Sequence, residues 1–358
     1  MPIETKPSVG LRAASIGPAL EGLCGEGRIH SVFRGALNMR IDGFDLLAAL
    51  TGPKSVSLPC AIALRGEADF LTWGLERGDF VSLSSSRLVL GSPPEAVVDL
   101  EGAVRERRRE LPFLGKPGSA YSLCLEALGR TQADKECELR MSSLTRAARG
   151  TSGAEVEARG AAPGAARSCL GRKLEEAARD LGAAALALDA AELVPGAGPG
   201  SFSTGALAEA TASLVGLGQG LTPSGDDFLC GFLAATRATR CAKQDSLRGA
   251  LSEAVEARLA STNEVSASML RCAMRGYFPS SLVGTAEAIG SGDGEGAARY
   301  LSVVCSLGHS SGADIATGFL YGLGILTGEL SIGEFAPPGA ATRRRFYASK
   351  VPLCEAEG

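Results

Sequence analysis

Histidine, tryptophan and paired cysteines are what this chain is short of. Two histidines and one tryptophan stand among its 358 residues, and aromatics make up 5%. Its ten cysteines run from Cys24 to Cys354 without one CxxC pair, and only Cys305 and His309 lie at a ligand-like spacing. That is too few donors for a zinc site, and it spells out no disulfide framework. Positive charge is not in excess either. The 36 basic and 40 acidic residues give a net charge of −4, and only Arg343-Arg344-Arg345 concentrates it, so nucleic acid is set aside as a partner. The opening MPIETK lacks the apolar core of a secretory signal. The two most apolar stretches, near 213–235 and 315–326, are respectively broken by Asp226-Asp227 and too short to span a bilayer. These absences lead us to expect a cytoplasmic protein with reduced thiols, with no metal or cofactor and no membrane partner.

What is present is enough apolar residue, 45%, for a large core, and enough length for two domains. Between about Ile29 and Val104, short β-type runs at 31–33, 55–58, 80–83 and 87–90 alternate with turn residues such as Gly52-Pro53 and Gly78-Asp79. The mixed-sign run at 105–110 suits an exposed helix or connector better than a binding patch. An Ala/Gly/Arg-rich stretch between Thr145 and Ser168 reads as a flexible link, followed by a helix over 173–193 that ends at 196–200. Helical spacing then recurs at 206–214, 228–240, 246–259, 265–275 and 315–326. The expected fold class is α+β: a small N-terminal β-sheet or barrel-like domain at 1–110, then a helical connector at 111–200. A mainly helical domain at 201–335 carries the site, and 336–358 is a peripheral tail.

The most informative window is GLGQGLTPSGDDFLCGFL at 216–233. Glycines 216, 218 and 220 lead into a helix start at which Thr222 is placed to N-cap and Pro223 to open the first turn. Such a start aims backbone amides and the positive end of the helix dipole forward, where an anion is at home. The spacing fits neither a P-loop nor the dinucleotide fingerprint, so ATP and NAD are unsupported. Asp226 and Asp227 are costly on a buried helix unless they cap first-turn amides or engage a ligand or cation.

A second window, LGHSSGADIATGFL at 307–320, repeats the design. With Ser224 laid on Ser311, Gly225 falls on Gly312, Asp227 on Asp314, Gly231 on Gly318 and Phe232-Leu233 on Phe319-Leu320. The shared string S-G-x-D-x-x-x-G-F-L places an acid at each helix start and a glycine one turn on, either for close helix packing or for the approach of a ligand. If the two starts converge, Asp227 and Asp314 face one pocket. His309, just ahead of the second start, is the best single candidate for proton transfer, or else a plain loop residue. No nucleophile elbow surrounds Ser224, Ser310 or Ser311, which read as capping or substrate contacts. Between the repeats, STNEVSASMLRCA at 261–273 offers Ser261 or Thr262 as an N-cap, with Asn263 and Ser266 as candidate substrate contacts.

These windows, together with Ser31-Val32-Phe33 through Ala36-Leu37-Asn38 and Gly52-Pro53-Lys54-Ser55-Val56, resemble the AllH-type family. Gln219 stands where the family pattern has proline, and the Ala/Gly-rich stretch at 151–167 is an addition to it. The resemblance implies a subunit of the oxamate carbamoyltransferase of allantoin (purine) catabolism, a complex that converts oxalurate and phosphate to oxamate and carbamoyl phosphate. It implies partner subunits; joined to the reading of the residues, Asp227, His309 and Asp314 are the expected catalytic groups. Gly218, Gly220, Thr222, Ser224, Gly225, Asp226, Asn263, Ser266, Ser310, Ser311 and Gly312 would hold the small anionic substrate and phosphate. Free amides at 224–225 and 311–312 would take anion oxygens, and the acids would accept ureido N–H groups. Two other readings stay open: a non-catalytic binding or scaffolding subunit, and a stand-alone Mg²⁺-dependent hydrolase of small amides or phosphates that uses Asp226, Asp227 and Asp314.

Overall fold

The computed structural model describes residues 10–53, 57–91, 96–135, 137–148, 168–191, 201–239 and 242–330. The first part is a closed barrel built from β1 (Leu11–Ile16), β2 (Gly25–Val32), β3 (Ala36–Ile41), β4 (Leu47–Thr51), β5 (Ala61–Leu64), β6 (Phe80–Leu83), β7 (Arg87–Leu90) and β8 (Ala96–Asp99). Neighbours run β5-β4-β3-β2-β6-β7-β8-β1, and β1 pairs back onto β5 to close the ring. A two-residue β9 (Val104–Arg105) adds beside β1 in parallel. Alternation of apolar residues fills the interior with Ile29, Leu37, Met39, Leu50, Leu64 and Leu88, and Phe70 meets Trp73 edge-on at 4.8 Å. The strands expected at 80–83 and 87–90 are β6 and β7. That at 31–33 overlaps the end of β2. The one expected at 55–58 is corrected: 54–56 lie outside the described residues, and Ser57 and Leu58 belong to the connection between β4 and β5. After β9, residues 106–110 of the charged run form a connector without regular secondary structure rather than a helix.

Ten α-helices follow among the described residues: α1 (Gly118–Asp134), α2 (Met141–Ala148), α3 (Cys169–Ala191), α4 (Ser201–Leu214), α5 (Ser224–Ala238), α6 (Ala242–Glu256), α7 (Glu264–Met274), α8 (Ser280–Ser291), α9 (Gly294–Cys305) and α10 (Ser311–Leu326). Helices α5 and α10 form the most extensive helix pair and are buried almost all round, which suits the two most apolar stretches of the chain. Among the described residues no helix is long and apolar enough to cross a membrane. Within the expected link, residues 145–148 close α2, while 149–167 lie outside the described residues. So do 192–200 and the tail from 331 onward.

The repeat glycines sit where α5 and α10 cross. A β-carbon on Gly231 would overlap the Ile315 carbonyl oxygen, and one on Gly318 would overlap that of Phe228. The contacts are reciprocal, as expected of a pseudo-twofold pair. The repeat extends backwards as well, because Gly225 abuts the Leu214 carbonyl at the end of α4, and Gly312 abuts that of Val304 at the end of α9. Both neighbours are backbone and cannot rotate away, so Gly231→Ala is expected to cost about 3 kcal/mol or more by forcing the helices apart, read by urea unfolding. A loss below about 1 kcal/mol would show that the crossing is loose.

Helix α7 joins the barrel to the helices. The backbone N–H of Leu47 donates to Ser268 Oγ at 2.8 Å, Arg275 Nη1 to Asp45 Oδ1 at 2.8 Å, and the Cys60 and Cys272 sulfurs touch at 2.9 Å. Its opposite face reaches the start of α5.

Candidate functional site

The start of α5 is built by proline and glycine. Pro223 holds the N-cap position at φ −54°, ψ 139°, and its carbonyl accepts the N–H groups of Asp226 and Asp227 at 2.9 and 3.1 Å. Thr222, expected as the cap, is one residue too early. Its hydroxyl instead meets Ser311 Oγ at 2.6 Å, across the gap to the start of α10. Gly218, at φ +141°, lets the loop fold over this start, since a β-carbon there would strike the Ser224 nitrogen. The amides of Gly225 and Gly312 are not free. They donate to Leu217 O at 2.8 Å and Leu307 O at 3.0 Å, so of the amides expected to take anion oxygens these two are engaged by their own loops.

Adjacent residues on a helix point about 100° apart, and Asp226 and Asp227 accordingly serve different neighbours. Asp226 is 1% exposed and accepts three hydrogen bonds: from Gly216 N at 2.8 Å, Thr262 Oγ1 at 2.5 Å and Ser266 Oγ at 2.6 Å. It ties the glycine loop and the start of α7 to α5. Asn263, rather than Ser261 or Thr262, caps α7, its Oδ1 accepting from Val265 N and Ser266 N at 3.1 Å. The hydroxyl of Thr262 is drawn away to Asp226. Removing the carboxylate in Asp226→Ala orphans three donors, and is expected to cost about 3 kcal/mol or more. A urea midpoint unchanged from wild type would show that the ties carry no stability.

Asp227 turns toward α10. It is 1% exposed, and Asp314 is fully buried. Across the pseudo-twofold axis, Asp227 lies beside the hydroxyls of Ser311 and Thr222, while Asp314 lies beside those of Ser224 and Ser310. Each acid thus faces the serine that opens the other helix. Burial, then the neighbouring Asp314, pushes the Asp227 carboxyl well above the usual carboxylate range. Burial lifts Asp314 to about 7, with the Ser224 and Ser310 hydroxyls pulling the other way. Those hydroxyls do not reach bonding geometry with Asp314. Both of its oxygens, and Asp227 Oδ2, are left without a hydrogen-bond partner. Unpaired oxygens at this depth are expensive, and two helix N-termini partly offset the cost.

The rim is more open. Gly218, Thr222, Ser310 and Ser311 are half-buried, and Gly220 and His309 are exposed on the two loops. Lys135, at the end of α1, pins the second loop by donating to Cys305 O at 2.7 Å and Gly308 O at 3.3 Å. Nothing in the spacing of the sequence marks that lysine. Among the described residues no three His, Cys, Asp or Glu side chains gather to hold a metal. With this geometry in place, residues 214–323 match the family described as oxamate carbamoyltransferase subunit AllH, and 12–106 match the AllH family N-terminal domain. The chain belongs to the AllH family. The two matches span the barrel and the stretch from the glycine loop to α10, so both family regions meet at α7. No solved structure matches the chain.

Proposed function

We propose that this AllH chain is a carbamoyltransferase subunit in which the Asp227–Asp314 pair handles the protons of a small ureido acid. The carrying observation is the pair itself: two buried carboxyls at reciprocal helix starts, with oxygens unpartnered and both carboxyls raised above the usual range, Asp314 to about 7. At neutral pH one of the two holds a proton and the other presents acceptor oxygens to ureido N–H groups. In transfer from oxalurate to phosphate, a phosphate oxygen bonds to the carbamoyl carbon and gives up its proton to the ionised carboxylate. The bond from that carbon to the oxamate nitrogen breaks, and the protonated carboxyl supplies the proton that nitrogen needs. Access requires the Thr222–Ser311 hydroxyl pair to part, and partner subunits complete the site over the rim formed by 218–222 and 308–311. The chain would be tested by purifying it from its host with the chains that accompany it and following phosphate-dependent loss of oxalurate. Turnover confined to the assembly supports the proposal; a complete assembly without it overturns the proposal.

The depth of the two carboxyls favours a second reading, in which they are neutral structural groups and all chemistry belongs to partner subunits. The readings separate on Asp227→Asn: a scaffold loses no turnover.

A further inference from the structure

The seam between the barrel and α7 holds a polar chain that the aspartate pair does not use. Along β2 and β3 the register steps from Ile29↔Met39 to Ser31↔Asn38, which leaves His30 as an extra residue in the ladder. Such a bulge turns successive side chains, which would otherwise alternate, toward the same neighbourhood. Here His30 Nδ1 lies 3.0 Å from Ser31 Oγ, and Asn38, directly opposite, donates its Nδ2–H to the same oxygen at 3.0 Å. His30 Nε2 lies 2.9 Å from Glu264 Oε2 in the first turn of α7. The Arg40 guanidinium donates to that carboxylate too, and holds it below the usual carboxylate range.

The hydrogen positions follow from the chemistry. A carboxylate only accepts, so Nε2 carries the hydrogen toward Glu264, and in the neutral tautomer Nδ1 then offers its lone pair to the Ser31 hydroxyl. A hydroxyl bonded to an imidazole, which is itself oriented by a carboxylate, is the arrangement that activates a serine. Both Ser31 and His30 are half-buried rather than sealed. Along the same seam an apolar cavity of about 120 Å³ runs past Asn38, Leu47, Val265 and Met269. It has room for a small uncharged group.

We propose that Ser31 is a nucleophile for small neutral esters or carbamates, with His30 as its general base and Glu264 positioning the imidazole. Ser31 Oγ bonds to the carbonyl carbon as its proton passes to His30 Nδ1. The bond from that carbon to the leaving oxygen breaks, and His30 hands that oxygen the proton. Water then attacks the acyl-serine carbon, losing a proton to His30, which returns it to Ser31 Oγ as the acid departs. Asn38 keeps one lone pair of the serine engaged and its orientation fixed. This centre is independent of the proposed carbamoyl transfer at the aspartate pair.

The test is to treat the full chain with diisopropyl fluorophosphate and map the adduct. Trypsin releases residues 29–34, IHSVFR, in which Ser31 carries the one hydroxyl. The expected result is a single adduct on Ser31, absent in Ser31→Ala and formed about 100-fold more slowly in His30→Gln, the usual worth of a general base. Glu264→Gln, which keeps the shape of the side chain, should slow it as well and serves if His30→Gln does not fold. Labelling of Ser31 no faster than in the urea-unfolded chain overturns the proposal, as does an unchanged rate in a folded His30→Gln or Glu264→Gln protein.

Discussion

Asparagine in place of Asp227 is expected to lower phosphate-dependent loss of oxalurate by the intact assembly at least about 100-fold, the ordinary worth of a positioned acid or base. The assembly itself should persist. Asparagine matches aspartate in shape, and the folded chain already disfavours a charge at this position, because burial and the adjacent Asp314 raise the Asp227 carboxyl. The fold therefore loses nothing by accepting a neutral group. Any fall in turnover then reports the loss of proton transfer rather than of structure. The measurement is initial rate and size-exclusion profile on the same preparation. Undiminished turnover in an intact assembly would hand the chemistry to a partner subunit.

The second large effect is on stability, and it has a definite sign with pH. The Asp314 carboxyl sits near 3.8 when unfolded and at about 7 when folded. Below pH 4 it is protonated in both states and contributes nothing. Between 4 and 7 the unfolded chain has released a proton that the folded chain keeps, so stability falls as pH rises, and the deficit levels off above 7. The span corresponds to about 4 kcal/mol at most. Asp314→Asn is therefore expected to be more stable than wild type at pH 8 by up to that amount, with the gain vanishing near pH 4. It also removes the charge that helps raise Asp227, which adds to the effect at high pH. Urea unfolding at pH 4, 6 and 8 reads it directly. A gain equal at all three values, or a loss at pH 8, would rule out a buried ionisation as the source. A site that stabilises the protein when it is disarmed is expected where function is maintained against stability.

Local chemistry written in one stretch of chain was readable in advance. The alternation in 80–83 and 87–90 announces strands, and the string S-G-x-D-x-x-x-G-F-L announces two matching helix starts, whose meeting as a pair only the packing of α5 on α10 shows. Capping was less readable. Asn263, Thr262 and Ser261 are all competent N-caps by type, and the choice fell to Asn263 because Asp226, 36 residues earlier in the chain, claims the Thr262 hydroxyl. Thr222, for its part, lies one residue before the cap that Pro223 holds, and its hydroxyl turns to Ser311.

By itself, then, the sequence determined a barrel-like first part, the strands at 80–83 and 87–90, several of the later helices and the likeness of two of them, because those features rest on periodicity and on residues a few positions apart. Only the tertiary structure decided that Asp226 is a tie with three donors while Asp227 faces Asp314 with an unpaired oxygen. The two are neighbours in sequence, and helix rotation plus the arrival of α7 on one side and α10 on the other separates their roles. The chain from Asn38 through Ser31 and His30 to Glu264 was equally hidden, since a one-residue bulge and a contact across more than 200 positions create it. Charge, burial and pairing are properties of what surrounds a side chain, and for these residues the surroundings come from distant parts of the chain.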